Sequence, residues 1–196
     1  MKFDRVFEND EQRIETIAEY FPVIRKIQDK ELAAKTARVW IRVLEECQWE
    51  DLEDVVFGVK YPEQNLANHI RVTTEGSYEV ARLMNQYQGM ELDLDVVITL
   101  GLLHDVSKCL EFEPDGQGGG RYSEMGEKVQ HGFYGAMYAI EEGFSWDFIN
   151  LIISHTPQSN TQPVNREGIL FAFLDLVDAD MVAYPHKDPL FYHRLH

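Results

Sequence analysis

Residues 98–108 read ITLGLLHDVSK, an apolar run that ends in the adjacent pair His104-Asp105. The residues before the pair are apolar nearly all round, which predicts a buried helix over residues 93–104. Adjacent helix residues point about 100° apart, so both side chains can reach an ion that lies off the helix between them. Lys108 lies on the same face one turn on, where its cation can hold an anionic group of a metal-bound substrate. The stretch therefore predicts two metal ligands and one anion clamp.

Further histidines and a carboxylate cluster lie in or at the end of other segments with helical periodicity. They are His69, His131, His155 and, in the cluster, Asp175, Asp178 and Asp180. A lone helical histidine is most often a core or surface residue, but four of them on separate helices, joined by the HD pair, favour one shared site. Imidazole with carboxylate suits transition metals such as Fe, Mn and Zn, and a bound metal can make hydroxide at neutral pH. Three histidines in the polar tail (His186, His193 and His196) are assigned no role.

Length and composition predict one folded domain of 196 residues, with 44% hydrophobic residues. The formal charge of −16 disfavours binding to long nucleic acid. A small anionic or nucleotide-like substrate is compatible with it, because bound divalent cations reverse the field locally. The sequence leaves the oligomeric state open, with a homodimer as one option.

Cellular location is predicted from the cysteines and the apolar segments. Cys47 and Cys109 do not suggest a disulfide framework, which favours a reducing compartment. The N-terminal residues lack the apolar core of a signal peptide, and no segment approaches the roughly 20 apolar residues of a membrane span. We therefore expect a cytoplasmic protein without a membrane partner.

Helical periodicity dominates the chain and predicts an all-α fold without strands of useful length. An N-terminal helical extension over residues 1–60 is expected to pack on a core domain over residues 61–196. Residues 111–126, rich in Gly and charge, are predicted to form a long loop that closes over the substrate, with Arg121 and Tyr122 as contact residues. The main helices are expected at 10–20, 30–46, 62–88, 93–104, 128–142, 146–155 and 166–182, with a short one around 49–56.

The ordered pattern His69 … His104-Asp105-x-x-Lys108 … His131 … His155 … Asp175 resembles the HD-domain superfamily of metal-dependent phosphohydrolases, over residues 65–183. The resemblance implies a single HD-domain-like helical bundle and the two-metal branch of that superfamily. Two divalent transition metal ions are implied, with Fe or Mn expected and Zn, Ni, Co or Mg as alternatives. The implied ligands of the first metal are His69, His104, Asp105 and Asp175, and those of the second are Asp105 as a bridge, His131 and His155.

The last ligand is chosen by similarity to the closing motif of the superfamily, A-D-x-x-D/E-A. Residues 173–183 read FLDLVDADMVA, which places Asp175 at the ligand position although Leu174 replaces the usual alanine. Asp178 is the second choice, and Asp180 is expected to be a solvated helix residue.

The function implied by the resemblance is hydrolysis of a phosphate ester or anhydride of a small molecule or nucleotide. Asp105 and Lys108 are the expected catalytic residues, and Lys108 and Arg71 the expected substrate-binding residues. One alternative is an HD-type di-iron oxygenase, which uses the same ligands to activate dioxygen. Another is a binding module without catalysis. Two segments, HGFYGAMYA and IISHT, resemble small bacterial diadenosine-tetraphosphate hydrolases of the HD class, but the substrate stays open.

Overall fold

The computed structural model describes residues 6–194, and this part of the chain is built almost entirely from helices. The predicted all-α class is confirmed. None of the described helices is both long and apolar enough to cross a membrane.

The α-helices are α1 Asp10–Tyr20, α2 Lys30–Glu46, α3 Leu66–Gln88, α4 Leu94–Leu103, α5 Lys108–Glu111, α6 His131–Glu141, α7 Trp146–Ser154 and α8 Arg166–Ala183. Strands β1 Phe112–Pro114 and β2 Gly120–Tyr122 form an antiparallel hairpin. Short 3₁₀ helices cover Pro22–Lys26, Leu52–Asp54, Pro157–Ser159, Tyr184–His186 and Phe191–Arg194.

Helix α4 lies at the centre of the molecule, as its all-round apolarity predicts. Every residue from Val97 to Leu103 is buried, and the helix packs against α2, α3, α7 and α8. Gly101 is required for this packing, because a Cβ at that position would lie 2.5 Å from Oγ1 of Thr74 on α3. The helix therefore ends deep in the interior, and the polar pair that follows it is buried as well.

One hydrophobic core extends from Phe7 to Phe171 and so includes residues from both predicted parts of the chain. Trp40 of α2 is fully buried in it, and its indole Nε1 donates a hydrogen bond to the carbonyl of Leu102 at 2.9 Å. This bond connects the N-terminal helices to the last turn of α4. Cys47 and Cys109 are not joined by a disulfide.

Two helices begin later than their periodicity predicts. Helix α3 begins at Leu66 rather than at Pro62, because the Asn65 side chain accepts from the amide of Asn68 and caps the helix there. The residues before Asn65 form turns. Helix α6 begins at His131 rather than at residue 128.

Residues 111–126 are not the open loop that their composition predicts. The hairpin pairs Phe112 with Tyr122 and Glu113 with Arg121. Trp49 contacts the hairpin, since its Nε1 donates a hydrogen bond to the carbonyl of Phe112 at 2.9 Å. This contact joins residues far apart in sequence, which is why local composition did not reveal it.

Replacing Trp40 by phenylalanine tests the link between α2 and α4. We expect the free energy of unfolding to fall by about 2–4 kcal/mol, because the buried Leu102 carbonyl loses its donor and a cavity opens. Denaturant unfolding followed by circular dichroism measures it. The control is Trp146→Phe, whose side chain is 76% exposed and whose replacement should change stability by less than about 0.5 kcal/mol. Equal unfolding midpoints for the two variants would contradict this role of Trp40.

Candidate metal centre

Five structural elements bring six polar side chains to one buried point. His69 lies in α3, His104 and Asp105 follow α4, and His131 is the first residue of α6. His155 follows α7, and Asp175 lies in α8. Glycine on α6 explains how His131 comes so close, since a Cβ on Gly135 would lie 3.2 Å from Oγ of Ser107. The structure thus brings together all six residues predicted as metal ligands.

Four of these residues form a first group around Nε2 of His69. This atom lies 3.1 Å from Nε2 of His104, 3.2 Å from Oδ2 of Asp105 and 3.2 Å from Oδ1 of Asp175. Nε2 of His104 lies 3.4 Å from the same Asp105 oxygen and 3.7 Å from the Asp175 oxygen. His69, His104 and Asp105 have the spacing of a metal-binding group.

The second group is built on the other oxygen of Asp105. Oδ1 lies 3.2 Å from Nε2 of His131 and 3.5 Å from Nε2 of His155, and the two imidazole nitrogens are 3.3 Å apart. These three residues also have the spacing of a metal-binding group. Asp105 is therefore the member shared by both groups, with one oxygen turned toward each.

The donor set fits two metal ions. Ligand atoms that bind one ion at ~2.1 Å stand roughly 3.0–3.5 Å from one another, which is close to the separations within each group. Oδ1 of Asp105 supports the same conclusion, because it is a buried carboxylate oxygen without a hydrogen-bond donor among the described residues. A cation beside Oδ1 would supply this oxygen with the kind of partner that Lys108 provides for Oδ2.

The outer nitrogen of each imidazole has an acceptor that turns the inner nitrogen toward the centre. Nδ1 of His69 lies 2.7 Å from Asp178, Nδ1 of His104 lies 2.8 Å from the carbonyl of Gly101, and Nδ1 of His155 lies 2.5 Å from that of Ile152. A proton on Nδ1 leaves the lone pair on Nε2, which is the state a metal ligand needs. Nδ1 of His131 faces Oε2 of Glu111 at 3.4 Å.

Charges in the centre are balanced between carboxylates and cations. Burial opposes ionisation of Asp105, but Lys108 and the histidines hold its pKa well below the usual value. Burial likewise opposes the charge on His69, but neighbouring carboxylates outweigh it and raise the pKa of His69 to about 10. Without a metal, His69 is therefore protonated at neutral pH. Because an imidazole must be neutral to bind a metal, metal binding here releases a proton.

Lys108 connects the centre to a cavity of about 360 Å³. Its Nζ donates to Oδ2 of Asp105 at 2.7 Å and lies 4.5 Å above the ring of Phe57. Asp105, His131, His155 and Asp175 lie in the cavity wall. The predicted anion clamp thus lies beside the metal ligands and faces the space that a substrate would enter.

Three C-terminal residues, Asp188, Pro189 and Phe191, also line this cavity, which the sequence pattern did not reveal. Asp188 bonds to Lys60 and accepts from the Tyr61 hydroxyl at 2.7 Å. Asp180 is not merely solvated, because its carboxylate accepts from the amides of Phe191 and Tyr192 at 2.7 and 2.9 Å. In the sequence, only the prolines and aromatic residues of this C-terminal segment indicated that the segment packs against the rest of the protein.

Three predicted contact residues do not line the cavity. Arg71 lies two positions after His69, so it points about 200° away around the helix. Its Nε donates to the carbonyl of Tyr20 at 2.9 Å, and its guanidinium pairs with Glu53. The structure therefore places Arg71 away from the cavity, and its predicted role in substrate binding has no support from this geometry. Arg121 pairs with Glu113 at 2.7 Å, and the ring of Tyr122 packs on Phe112, so the hairpin does not cover the cavity.

The comparison with protein families agrees with this geometry. The family model described as HD domain matches residues 67–180, more than half of the chain. No curated protein and no solved structure matches the chain. The matched segment contains both groups of clustered ligands, and the HD family consists mostly of metal-dependent hydrolases that bind divalent metals. The chain belongs to the HD domain family.

Proposed function

We propose that the protein is a phosphohydrolase that cleaves a phosphate ester or anhydride of a small molecule or nucleotide. Two divalent transition metal ions, Fe or Mn, would be held by His69, His104 and Asp175 on one side and by His131 and His155 on the other, with Asp105 between them. The observation that carries the proposal is Asp105, a buried carboxylate whose two oxygens face two separate groups of ligands.

The chemistry requires charge neutralisation and a nucleophile at neutral pH. Two bound divalent cations would supply hydroxide and would stabilise the charge of an in-line displacement at phosphorus. Lys108 contributes a fixed positive charge at the cavity wall, where it can hold a phosphoryl oxygen of the substrate. Burial opposes that charge, but Asp105 raises the pKa of Lys108, so the ammonium stays protonated throughout the neutral range.

The size of the cavity supports the proposal that the substrate is a small molecule. Its walls come from the centre itself, from Phe57 and from the C-terminal residues, which bound its size. Lys60 also lines the cavity with an exposed side chain, and its ammonium, which pairs with Asp188, can contact an anionic substrate. The strongly acidic chain would repel a long polyanion, so we propose no role in binding long nucleic acid.

Metal stoichiometry tests the two-ion centre. Protein purified without chelator should contain about two transition metal ions per chain, and His131→Ala should lower that number to about one because it removes a ligand of only one group. Elemental analysis by mass spectrometry measures it. His193→Ala, in the exposed tail, is the control and should keep both ions. A wild-type content near one that His131→Ala leaves unchanged would overturn the two-ion centre.

Asp175 and Asp178 should differ in their effect on metal binding. Asp175→Asn should abolish binding of the ion on the His69 side. Asp178→Asn should weaken it only about 10- to 100-fold, because Asp178 orients His69 through Nδ1. Competition with a chromogenic chelator measures the affinities. Asp188→Asn, whose carboxylate holds Lys60 and Tyr61, is the control. Full loss of the ion in Asp178→Asn, with wild-type affinity in Asp175→Asn, would reverse the two roles.

Activity tests hydrolysis against the oxygenase chemistry that the same ligands support. With Mn(II) under anaerobic conditions, the protein should release phosphate or a nucleoside monophosphate from a panel of phosphomonoesters, phosphodiesters and dinucleotides. Lys108→Ala should lower kcat by roughly 100-fold or more, since a preorganised charge at the reacting group is lost. Lys128→Ala, an exposed partner of Glu124, is the control and should be fully active.

Turnover that strictly requires Fe and dioxygen would eliminate the hydrolase. Function retained in His104→Ala would indicate a binding module.

A further inference from the structure

Helix α8 presents an apolar face to solvent. Among its described residues, all that are exposed after Arg166 are apolar, and they repeat every four positions. We call these four residues the α8 ridge: Ile169, Phe173, Val177 and Met181. Their exposed fractions are 49, 51, 56 and 70%. A surface helix normally has charged residues on its outer face, so the ridge has the pattern of a helix that is covered on both sides.

The ridge continues onto the neighbouring helix. The two helices run antiparallel, because His69 of α3 bonds to Asp178 and a Cβ on Gly76 would lie 3.9 Å from Cδ1 of Leu174. On α3, Val72 and Leu83 are exposed apolar residues, and the exposed Glu75 and Glu79 lie between them in the sequence. The six side chains expose an area on the order of 700 Å², near the ~800 Å² that each partner of a standard protein interface buries. Monomeric proteins seldom leave so large an apolar patch uncovered.

We propose that the α8 ridge is the interface of a symmetric dimer, in which α8 of one copy packs across α8 of a second copy. Residues four apart form the i±4 ridges that interdigitate when two helices cross at about −50°. In a twofold dimer the same surface of both copies must be complementary to itself, and a straight row of apolar side chains can pack against an identical row.

The charge distribution permits a second copy to bind at the ridge but not over most of the remaining surface. Each chain carries a formal charge of −16, so two copies repel each other over most of their surfaces. The ridge itself has no charged side chain. At its border, Glu79 and Arg82 of α3 pair at 2.9 Å and so neutralise each other beside Leu83. The ridge is therefore a place where two acidic copies can meet without bringing like charges together.

A second apolar stripe provides a matched comparison. Helix α6 exposes Phe133, Met137 and Ile140 at similar fractions, but this stripe is one residue shorter. It also ends beside the ion pair of Arg42 with Glu141. The same substitution on α6 should therefore leave the dimer intact.

The test is the solution mass, measured by light scattering after size-exclusion chromatography. Wild-type protein at micromolar concentration should have twice the chain mass of 22.8 kDa. Phe173→Glu and, separately, Phe173→Lys should each raise the dissociation constant by ~30-fold or more, as expected for a charge at the centre of an interface. Both should elute as monomers. Met137→Glu should remain a dimer.

Mixing separates loss of the interface from loss of folding. Equal amounts of the Phe173→Glu and Phe173→Lys proteins should recover the dimer mass, because opposite charges then face each other across the twofold axis. A monomeric wild type, a Phe173→Glu dimer, a monomeric Met137→Glu protein or a mixture that stays monomeric would each overturn the proposal. The readout is independent of metal and of catalysis, so its outcome does not depend on the proposed hydrolase activity.

Discussion

The arrangement of the molecule depends on one buried carboxylate, that of Asp105. It lies at the end of the most buried helix, 2% exposed, where an isolated charge would be very unfavourable. Lys108 contacts one of its oxygens, and two pairs of imidazoles face the two oxygens from opposite sides. His104 and Lys108 are neighbours of Asp105 in the sequence, but His69, His131 and His155 come from three other helical segments, so these helices must pack in one register to surround the charge.

Helix packing and the centre are coupled through α4. Gly101 allows α3 to approach closely enough for His69 to reach the centre, and its carbonyl accepts from Nδ1 of His104. Position 101 therefore serves both the packing of two helices, which requires glycine, and the orientation of a ligand through its backbone carbonyl. The same is true of α6, where Ser107 donates to the backbone carbonyl of His131 at 2.7 Å and the adjacent Gly135 leaves room for it.

The sequence was sufficient to predict what depends on local pattern. Apolar periodicity predicted the all-α class and most helix bounds, and the HD pair with its ordered histidines predicted the residues that meet at the centre. Contacts between distant segments were not predictable in this way. Arg71 was assigned to the substrate because it is near His69 in sequence, although the helix turns it toward Tyr20. The hairpin was read as a loop because its support comes from Trp49.

The last helix shows how one segment can serve two purposes. The inner face of α8 carries Asp175 and Asp178 toward His69, and Asp180 anchors the C-terminal residues that wall the cavity. Its outer face is the apolar ridge. The apolar outer face of α8 has no role in the metal centre. The proposed contact with a second copy explains this apolar face, whereas catalysis does not.

The most direct test of the account is the position of the metal ions relative to Asp105. In a crystal of the metal-loaded protein, anomalous scattering recorded above and below the absorption edge of the metal should show two peaks about 3.5–4 Å apart, one beside each oxygen of Asp105. A single peak bound by all four histidines, or two peaks that Asp105 does not join, would contradict the central role assigned to this carboxylate.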